Sequence, residues 1–292
     1  MRHIDVVIVG AGPAGIACAI QLKRLGVEFL LVDKNKPGGL LHQAGKIANY
    51  PGYYQAVTSS KLIGDFLRHL DTYNIKVEKA EVSGVRESNG IIAMALNNAT
   101  SFEPELVTSR ILVVASGTRP ITQNLHKPDS ARVLYDVSRL RNKSGKQVAF
   151  VGAGDAAFDY ALQLAGKHYI TVFNRSNRIR ALHVLKEEFF RNHEITYHEN
   201  FELQSIRESV NNLTLTFMNS GREQVLLYDY LIFATGREPE LELFSDGVKD
   251  ALDQFIKEKR IYIIGDAANG RCRQTAIAVG DGVKAGMEIG GM

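Results

Sequence analysis

Cysteine is scarce in this chain: there are two, Cys18 and Cys272, among 292 residues. They lie too far apart in sequence for a C-x-x-C pair, and two thiols do not make a disulfide framework. A reducing, cytoplasmic setting is therefore expected. Long apolar runs are also missing. None approaches the roughly 20 residues that a bilayer-spanning helix requires, so no membrane partner is expected. Met1-Arg2-His3 leads straight into an apolar stretch, which predicts no signal peptide. An excess of one charge is absent as well. Thirty-five Lys and Arg stand against 32 Asp and Glu, a net charge of +3 that gives no reason to expect nucleic acid. No metal site is predicted. Tryptophan is absent, which excludes nothing about the fold. With 45% hydrophobic and 23% charged residues, the chain reads as an ordinary globular protein of one large or two ordinary domains.

What is present is glycine in a pattern. Ile4-Asp5-Val6-Val7-Ile8-Val9 is strand-like and runs into Gly10-Ala11-Gly12-Pro13-Ala14-Gly15, after which a helix begins. In a strand–turn–helix G-x-G-x-x-G, the first glycine allows a tight turn, the second lets backbone approach a pyrophosphate, and the third lets helix pack on strand. The helix start offers free N–H groups to the phosphates. A second strand, Glu28 to Asp33, ends in an acid about 20 residues on, where a ribose 2′-OH is expected.

A long loop follows, from Lys36-Pro37-Gly38-Gly39-Leu40 to Asn49-Tyr50-Pro51-Gly52. Its length suggests function. Apolar residues at 62, 63, 66, 67 and 70 make one helical face, capped by Ser59 or Ser60. A short strand is expected at Ile75–Val77. Residues 80–110 read as a β-meander, with a turn at Ser88-Asn89-Gly90. A buried strand, Arg110 to Ala115, ends at Ser116-Gly117-Thr118.

The pattern then repeats. Gln147 to Val151 is a strand, Gly152-Ala153-Gly154-Asp155-Ala156-Ala157 is G-x-G-x-x-A, and a helix follows. The next strand, Ile170 to Phe173, ends not in an acid but in Asn174-Arg175-Ser176-Asn177-Arg178-Ile179-Arg180. Arginine here suits the 2′-phosphate of NADPH; the alternatives are NADH or a solvated basic loop. A second buried strand, Tyr230 to Ala234, ends at Thr235-Gly236-Arg237. Ile261 to Ile264 leads into Gly265-Asp266, and Arg273-Gln274-Thr275 opens a last helix. Two such sites predict two dinucleotides, one of them a flavin. The fold expected is α/β, with two Rossmann-like three-layer dinucleotide-binding domains, the second inserted in the first. The first domain would be 1–118 and 241–292, and the second 119–240.

Taken together, these motifs resemble the low-molecular-weight thioredoxin reductases over nearly the whole chain. The resemblance implies that the first domain binds FAD and the second NAD(P)H. It implies FAD at Gly10, Gly12, Pro13, Ala14 and Gly15, with Asp33 at the adenosine ribose and Lys34 beside it. Gly39, Leu40, His42 and Asn49 would neighbour the flavin. Ser116-Gly117-Thr118 matches a strand-end motif, and Asp266 of Gly265-Asp266 would hold the ribityl chain. Arg273-Gln274-Thr275 would face the N1–C2=O edge, where a helix N-terminus stabilises the negative charge of reduced flavin. NADPH would sit at Gly152, Gly154, Asp155, Ala156, Ala157 and Gly236. Arg175 and Arg180 keep two of the family's arginines, while Asn174 and Ser176 replace a His and an Arg. The resemblance also implies a homodimer.

One departure stands out. The family's redox C-x-x-C falls, counted back from Gly152, on Tyr135-Asp136-Val137-Ser138. Without a dithiol, electrons cannot leave by the family's usual disulfide exchange. The expectation is an NAD(P)H oxidoreductase that passes electrons from flavin to an external small molecule or small redox protein. Relatives of this shape without the dithiol include ferredoxin/flavodoxin–NADP reductases and bacillithiol disulfide reductase-like proteins. A non-catalytic regulatory flavoprotein, or an FAD-linked monooxygenase or oxidase, are the other readings. His42, Tyr135 and Cys272 are the only catalytic candidates, each with a packing or loop role as the alternative.

Overall fold

The structure, a computed structural model, describes residues 2–88, 90–98, 101, 103–122 and 130–292. Contacts divide the chain into two compact units. The first comprises Met1–His42, Lys46–Arg119 and Glu238–Met292; the second comprises Gln43–Gly45 and Pro120–Arg237. The second unit thus interrupts the first.

In the first unit, four strands lie in the order Val77–Lys79, Phe29–Asp33, Arg2–Val9, Glu105–Val114, all parallel. The long strand Glu105–Val114 divides its outer edge. Its first half pairs antiparallel with Ile91–Asn97, and its last three residues pair parallel with Ile261–Ile263. Val6, Val7 and Ile8 are completely buried because the sheet is covered on both faces. Val6, Ile8, Leu31, Ile111 and Val113 meet helices Pro13–Arg24 and Thr275–Gly290. Val7, Leu30, Val32, Leu112 and Val114 point the other way, onto the meander residues Val82, Ile92, Met94 and Leu96. Alternation along each strand therefore builds the three layers.

The second unit repeats this build. Its parallel sheet runs Val133–Leu134, Tyr230–Phe233, Gln147–Val151, Tyr169–Asn174, Ile195–Glu199. One face packs on helices Asp155–Leu164 and His183–Arg191, where Phe158 stacks on Phe189. The other packs on an antiparallel meander formed by Phe201–Glu208, Leu213–Asn219 and Arg222–Tyr228. The fifth strand is permuted. In the first unit it comes last (Ile261–Ile263); in the second it comes first (Val133–Leu134) and precedes the glycine turn. Gln43–Gly45 are held within the second unit: Gly45 N–H donates to Asp159 Oδ2 (3.1 Å), and Tyr160 O–H donates to Gln43 Oε1 (2.8 Å).

Two local expectations are corrected. Helix Ser59–Thr72 is capped by Thr58, not by Ser59 or Ser60. Thr58 is extended and its Oγ1 accepts Lys61 N–H, while Ser59 already lies within the helix. The strand expected at Ile75–Val77 is Val77–Lys79. Asn74 takes a φ of 52°, and Ile75 N–H returns to Leu70 O, so Ile75 closes the helix instead of joining the sheet. The meander expected over 80–110 is present as Glu81–Ser88, Ile91–Asn97 and Glu105–Val114, with Asn89 of its first turn outside the described residues.

Candidate functional site

The first glycine turn is fixed by backbone alone. Gly10 has a φ of 103°, which favours glycine, and a Cβ there would overlap Ala115 O. Gly10 N–H donates to Val32 O (2.7 Å), and Ala115 N–H donates to Val9 O (2.8 Å). Gly15 has no room for a Cβ against Gly10 O, so helix and strand touch there. Asp33 reaches back over the turn: its Oδ2 accepts Ala11 N–H (2.6 Å) and its Oδ1 accepts Asn35 N–H (2.7 Å). A carboxylate has about four acceptor sites, so two remain for a ligand diol. The loop beyond folds onto the same turn, with Gly38 N–H donating to Ala11 O (2.8 Å) and Gly39 packed over Gly12. Pro13 and Ala14 open the helix, which has no side-chain cap at Gly12. N–H groups at a helix start without a side-chain cap fit a pyrophosphate.

The second feature of this unit is the turn Gly265–Ala267 with the helix behind it. Asp281, two turns into helix Thr275–Gly290, accepts Gly265 N–H (3.0 Å) and the Asn269 side-chain amide. Asn269 also donates to Gly265 O (2.9 Å), and Cys272 N–H donates to Asn269 O (2.8 Å). Asp281 and Asn269 therefore set the course of the chain from Asp266 to Thr275. Sequence reasoning missed both, because a mid-helix Asp 16 positions downstream carries no local signal. Gln274 does not cap the helix that it precedes. Its Oε1 instead accepts Asn49 Nδ2–H (2.7 Å), which brings Asn49 beside an open helix start. Ser116 Oγ–H donates to Glu240 O (2.6 Å), and Glu240 N–H donates to Gly117 O (3.1 Å), which fixes Ser116-Gly117-Thr118. Lys34 is drawn into ion pairs with Glu240 (2.6 Å) and Glu81 (3.5 Å).

The glycine turn of the second unit has the same geometry. Gly152 has a φ of 131°, its N–H donates to Phe173 O (3.0 Å), and a Cβ on it would overlap Ala234 O. Gly154 stands at the start of helix Asp155–Leu164 with no side-chain cap and, apart from its chain neighbours, nothing among the described residues within 4 Å of an added Cβ. Ala157 is fully buried and takes the place of Gly15. Asp155 Oδ1 accepts Leu182 N–H (2.7 Å), and Arg180 N–H donates to Ala153 O (2.9 Å). The arginine loop is thereby tied to the turn. Asn174 is buried and its amide is engaged within the protein. Ile121 N–H donates to Gly236 O (3.1 Å).

The catalytic candidates fall in different settings. His42 Nε2–H donates to Pro37 O (2.9 Å), so the ring braces its own loop. Tyr135 is half-buried and stacks on Phe233 at 5.8 Å, against the core of the second unit. In the same stretch, Asp136 Oδ1 accepts Ser138 N–H (2.7 Å) and Val137 is fully buried. Cys18 is buried in helix Pro13–Arg24, and burial pushes its thiol up to about 12. Cys272 is exposed. A thiol-titrating disulfide reagent is expected to modify one thiol per native chain, at Cys272, and both after denaturation. Rapid modification of two native thiols would contradict this.

The chain compares with known proteins as follows. A family model described as pyridine nucleotide-disulphide oxidoreductase matches residues 4–282. The thioredoxin reductase of Mycoplasma genitalium is 27% identical over 98% of this chain and 94% of its own length. Lactococcus lactis thioredoxin reductase matches in structure with a TM-score of 0.83 at 21% identity, over 98% of this chain and 97% of its own. A bacillithiol disulfide reductase from Bacillus cereus reaches 0.81 at 17% identity, over 99% of each chain. At those identities the two structures show the fold, two Rossmann-like units in one chain. The family binds FAD and NADPH. The open helix starts and glycine cradles described above fit both groups. The chain therefore belongs to the pyridine nucleotide-disulphide oxidoreductase family and is a thioredoxin reductase-like, FAD-containing NAD(P)H oxidoreductase.

Proposed function

We propose that this enzyme takes a hydride from NAD(P)H and delivers the electrons to an external acceptor with no protein dithiol between. The observation that carries this reading is the pairing of two glycine-turn sites with Tyr135-Asp136-Val137-Ser138 where a C-x-x-C would fall. Cys18 and Cys272 cannot replace that pair: the first is buried with its pKa raised, and the second is a lone exposed thiol. One thiol cannot cycle as an intramolecular disulfide.

In this reading, the domain of 1–118 and 241–292 holds FAD. Gly10, Gly12, Pro13, Ala14 and Gly15 take the pyrophosphate, and Asp33 takes the adenosine ribose. Lys34, Ser116, Gly117, Thr118 and Gly39 shape the walls. Leu40, His42, Asn49, Gly265, Asp266, Arg273, Gln274 and Thr275 would hold the ribityl and ring portion of the bound FAD. Residues 119–240 hold NADPH through Gly152, Gly154, Asp155, Ala156, Ala157, Asn174, Arg175, Arg180 and Gly236. Bound FAD supplies the two-electron chemistry, accepting hydride and releasing electrons to the acceptor. The chain's own part is electrostatic. Helix Thr275–Gly290 starts without a side-chain cap, and its N-terminus would stabilise negative charge on the bound group. The acceptor is a small molecule or a small redox protein. A small disulfide of the kind named in the bacillithiol disulfide reductase is the second reading, and the missing dithiol favours it. We further propose a cytoplasmic homodimer.

The test is anaerobic. NADPH should bleach the flavin absorbance within seconds, and one member of a panel of ferredoxin, flavodoxin, small disulfides and quinones should restore it far faster than oxygen does. Cys272→Ser should change neither phase by more than about twofold, since no redox step uses that thiol. Flavin that stays oxidised for minutes with both NADPH and NADH would overturn the reading. So would a Cys272→Ser enzyme that is reduced normally but no longer reoxidised by the acceptor.

A further inference from the structure

In the first unit two helices start without a side-chain cap, one at Gly12-Pro13 and one at Gln274-Thr275. The turn Gly265–Ala267 is wedged between their opening turns. A Cβ on Gly265 would come within 2.8 Å of Ala14 Cβ in the first helix and 3.7 Å of Ala278 Cβ in the second. One carboxylate fixes this wedge. Asp281 Oδ2 accepts Gly265 N–H (3.0 Å) and also accepts from the Asn269 side-chain amide. The same amide donates to Gly265 O (2.9 Å). Both polar groups of Gly265 are thus held by side chains, which closes a triangle of Gly265, Asn269 and Asp281. Asn269 O accepts Cys272 N–H (2.8 Å) and so carries the constraint toward Gln274. On the other side of Asp281, Gly282 lies so close to the first helix that a Cβ on it would overlap Ala14 O.

The helix itself gives no reason for an acid at this position. Aspartate is a poor helix former, and Asp281 lies beyond the first turn, where an acid no longer gains from the helix dipole. Its hydrogen bonds supply the reason, since a charged acceptor binds N–H groups about twice as strongly as a neutral one. Those bonds act on the one turn that touches the openings of both helices. A ligand that must meet two anchors at once binds well where their spacing is set in advance, and loses affinity where its arrival must set it.

We infer that Asp281 is a positioning residue for FAD: acting through Gly265 and Asn269, its carboxylate fixes the spacing of the two helix starts that hold the pyrophosphate and the flavin ring. This deepens the proposed FAD site of the first unit and rests on it.

The test follows FAD leaving the holoenzyme, read as the recovery of free-flavin fluorescence on dilution, together with the visible circular dichroism of the bound flavin. Asp281→Ala should speed release at least about tenfold, the effect of losing hydrogen bonds to a charged acceptor, and should alter the dichroism bands. Asp281→Asn should stay within about threefold of the wild type with its bands unchanged, because both bonds run to a single oxygen and one amide oxygen can accept both. Ile289→Val, at a buried position on the same helix, is the control: it should lower stability yet leave release and bands as they are. Wild-type release and bands in Asp281→Ala would overturn the inference, and so would an Asp281→Asn that behaves like Asp281→Ala. Should Asp281→Ala fail to fold, Asn269→Ala decides: release several times faster supports the inference, and wild-type release overturns it. Asp33→Ala tests the site beneath, and should also speed release at least about tenfold. If Asp33→Ala and Asp281→Ala both retain FAD as the wild type does, the FAD placement falls with the inference. If only Asp281→Ala does, the placement stands and the role of Asp281 falls.

Discussion

Gly282→Ala is expected to lower stability by about 2–3 kcal/mol and to release FAD, while Gly280→Ala, two positions earlier on the same helix, is expected to stabilise by about 0.5–1 kcal/mol. The helix Thr275–Gly290 lies against Pro13–Arg24 along Ala278, Gly282 and Gly286, spaced four apart. A Cβ on Gly282 would overlap Ala14 O and come within 2.9 Å of both Ala17 Cβ and Cys18 N. The first and last of these are backbone atoms, and Cys18 is completely buried, so no side chain can swing aside. The helices must separate instead. Each of them begins at a proposed flavin contact, one at Gly12-Pro13 and the other at Gln274-Thr275. Parting them moves both sets of free N–H groups away from a single ligand. Gly280 has nothing within 4 Å of an added Cβ and is exposed, so alanine there adds only helix propensity. Urea unfolding of the two holoproteins, with flavin retention followed on gel filtration, measures both effects. Equal shifts of the same sign would mean that the close approach of the two helices is not what seats the cofactor.

The parts of this design that could be read from the sequence are those carried by backbone requirement and by period. Gly10 and Gly152 had to be glycine for turns of positive φ, and the apolar runs beside them marked the strands that lead into those turns. The parts that could not be read depend on pairs brought together only by folding. Asp281 meets Gly265 across a helix, and Asn49 meets Gln274 across 225 positions. The permuted strand Val133–Leu134 is two residues long, too short for any period to register. Asn174 was readable as a departure from an acid, but not as the organiser of a loop, because its hydrogen bonds run to Arg178 and Tyr197. Local signals thus located the turns, and long-range hydrogen bonds decide what each turn presents to a ligand.

Gly154→Ala carries the other large expected effect, and it separates site from scaffold. The variant should fold with a loss of about 1 kcal/mol or less, the difference between glycine and alanine at a helix N-cap, and should keep its FAD. Its affinity for NADPH should nevertheless fall about 10- to 100-fold, the worth of one or two charge-assisted contacts to a phosphate. The reasoning turns on what surrounds the residue. Gly154 has a φ of −113° and a ψ of −176°, an extended backbone open to any residue, and apart from its chain neighbours no atom of the described residues lies within 4 Å of an added Cβ. The protein itself therefore gives no reason for glycine at this position. An approaching pyrophosphate does, since it would occupy that space while accepting from the uncapped N–H groups of helix Asp155–Leu164. Gly152→Ala makes the contrast. With a φ of 131° and an overlap with Ala234 O, it should destabilise the second unit outright and lose nucleotide binding only as a consequence. Measured together, unfolding and NADPH titration should place Gly154→Ala near the wild type on the first axis and far from it on the second. If Gly154→Ala binds NADPH as the wild type does, the pyrophosphate does not cross this turn, and the placement of the second nucleotide must be sought elsewhere in the unit.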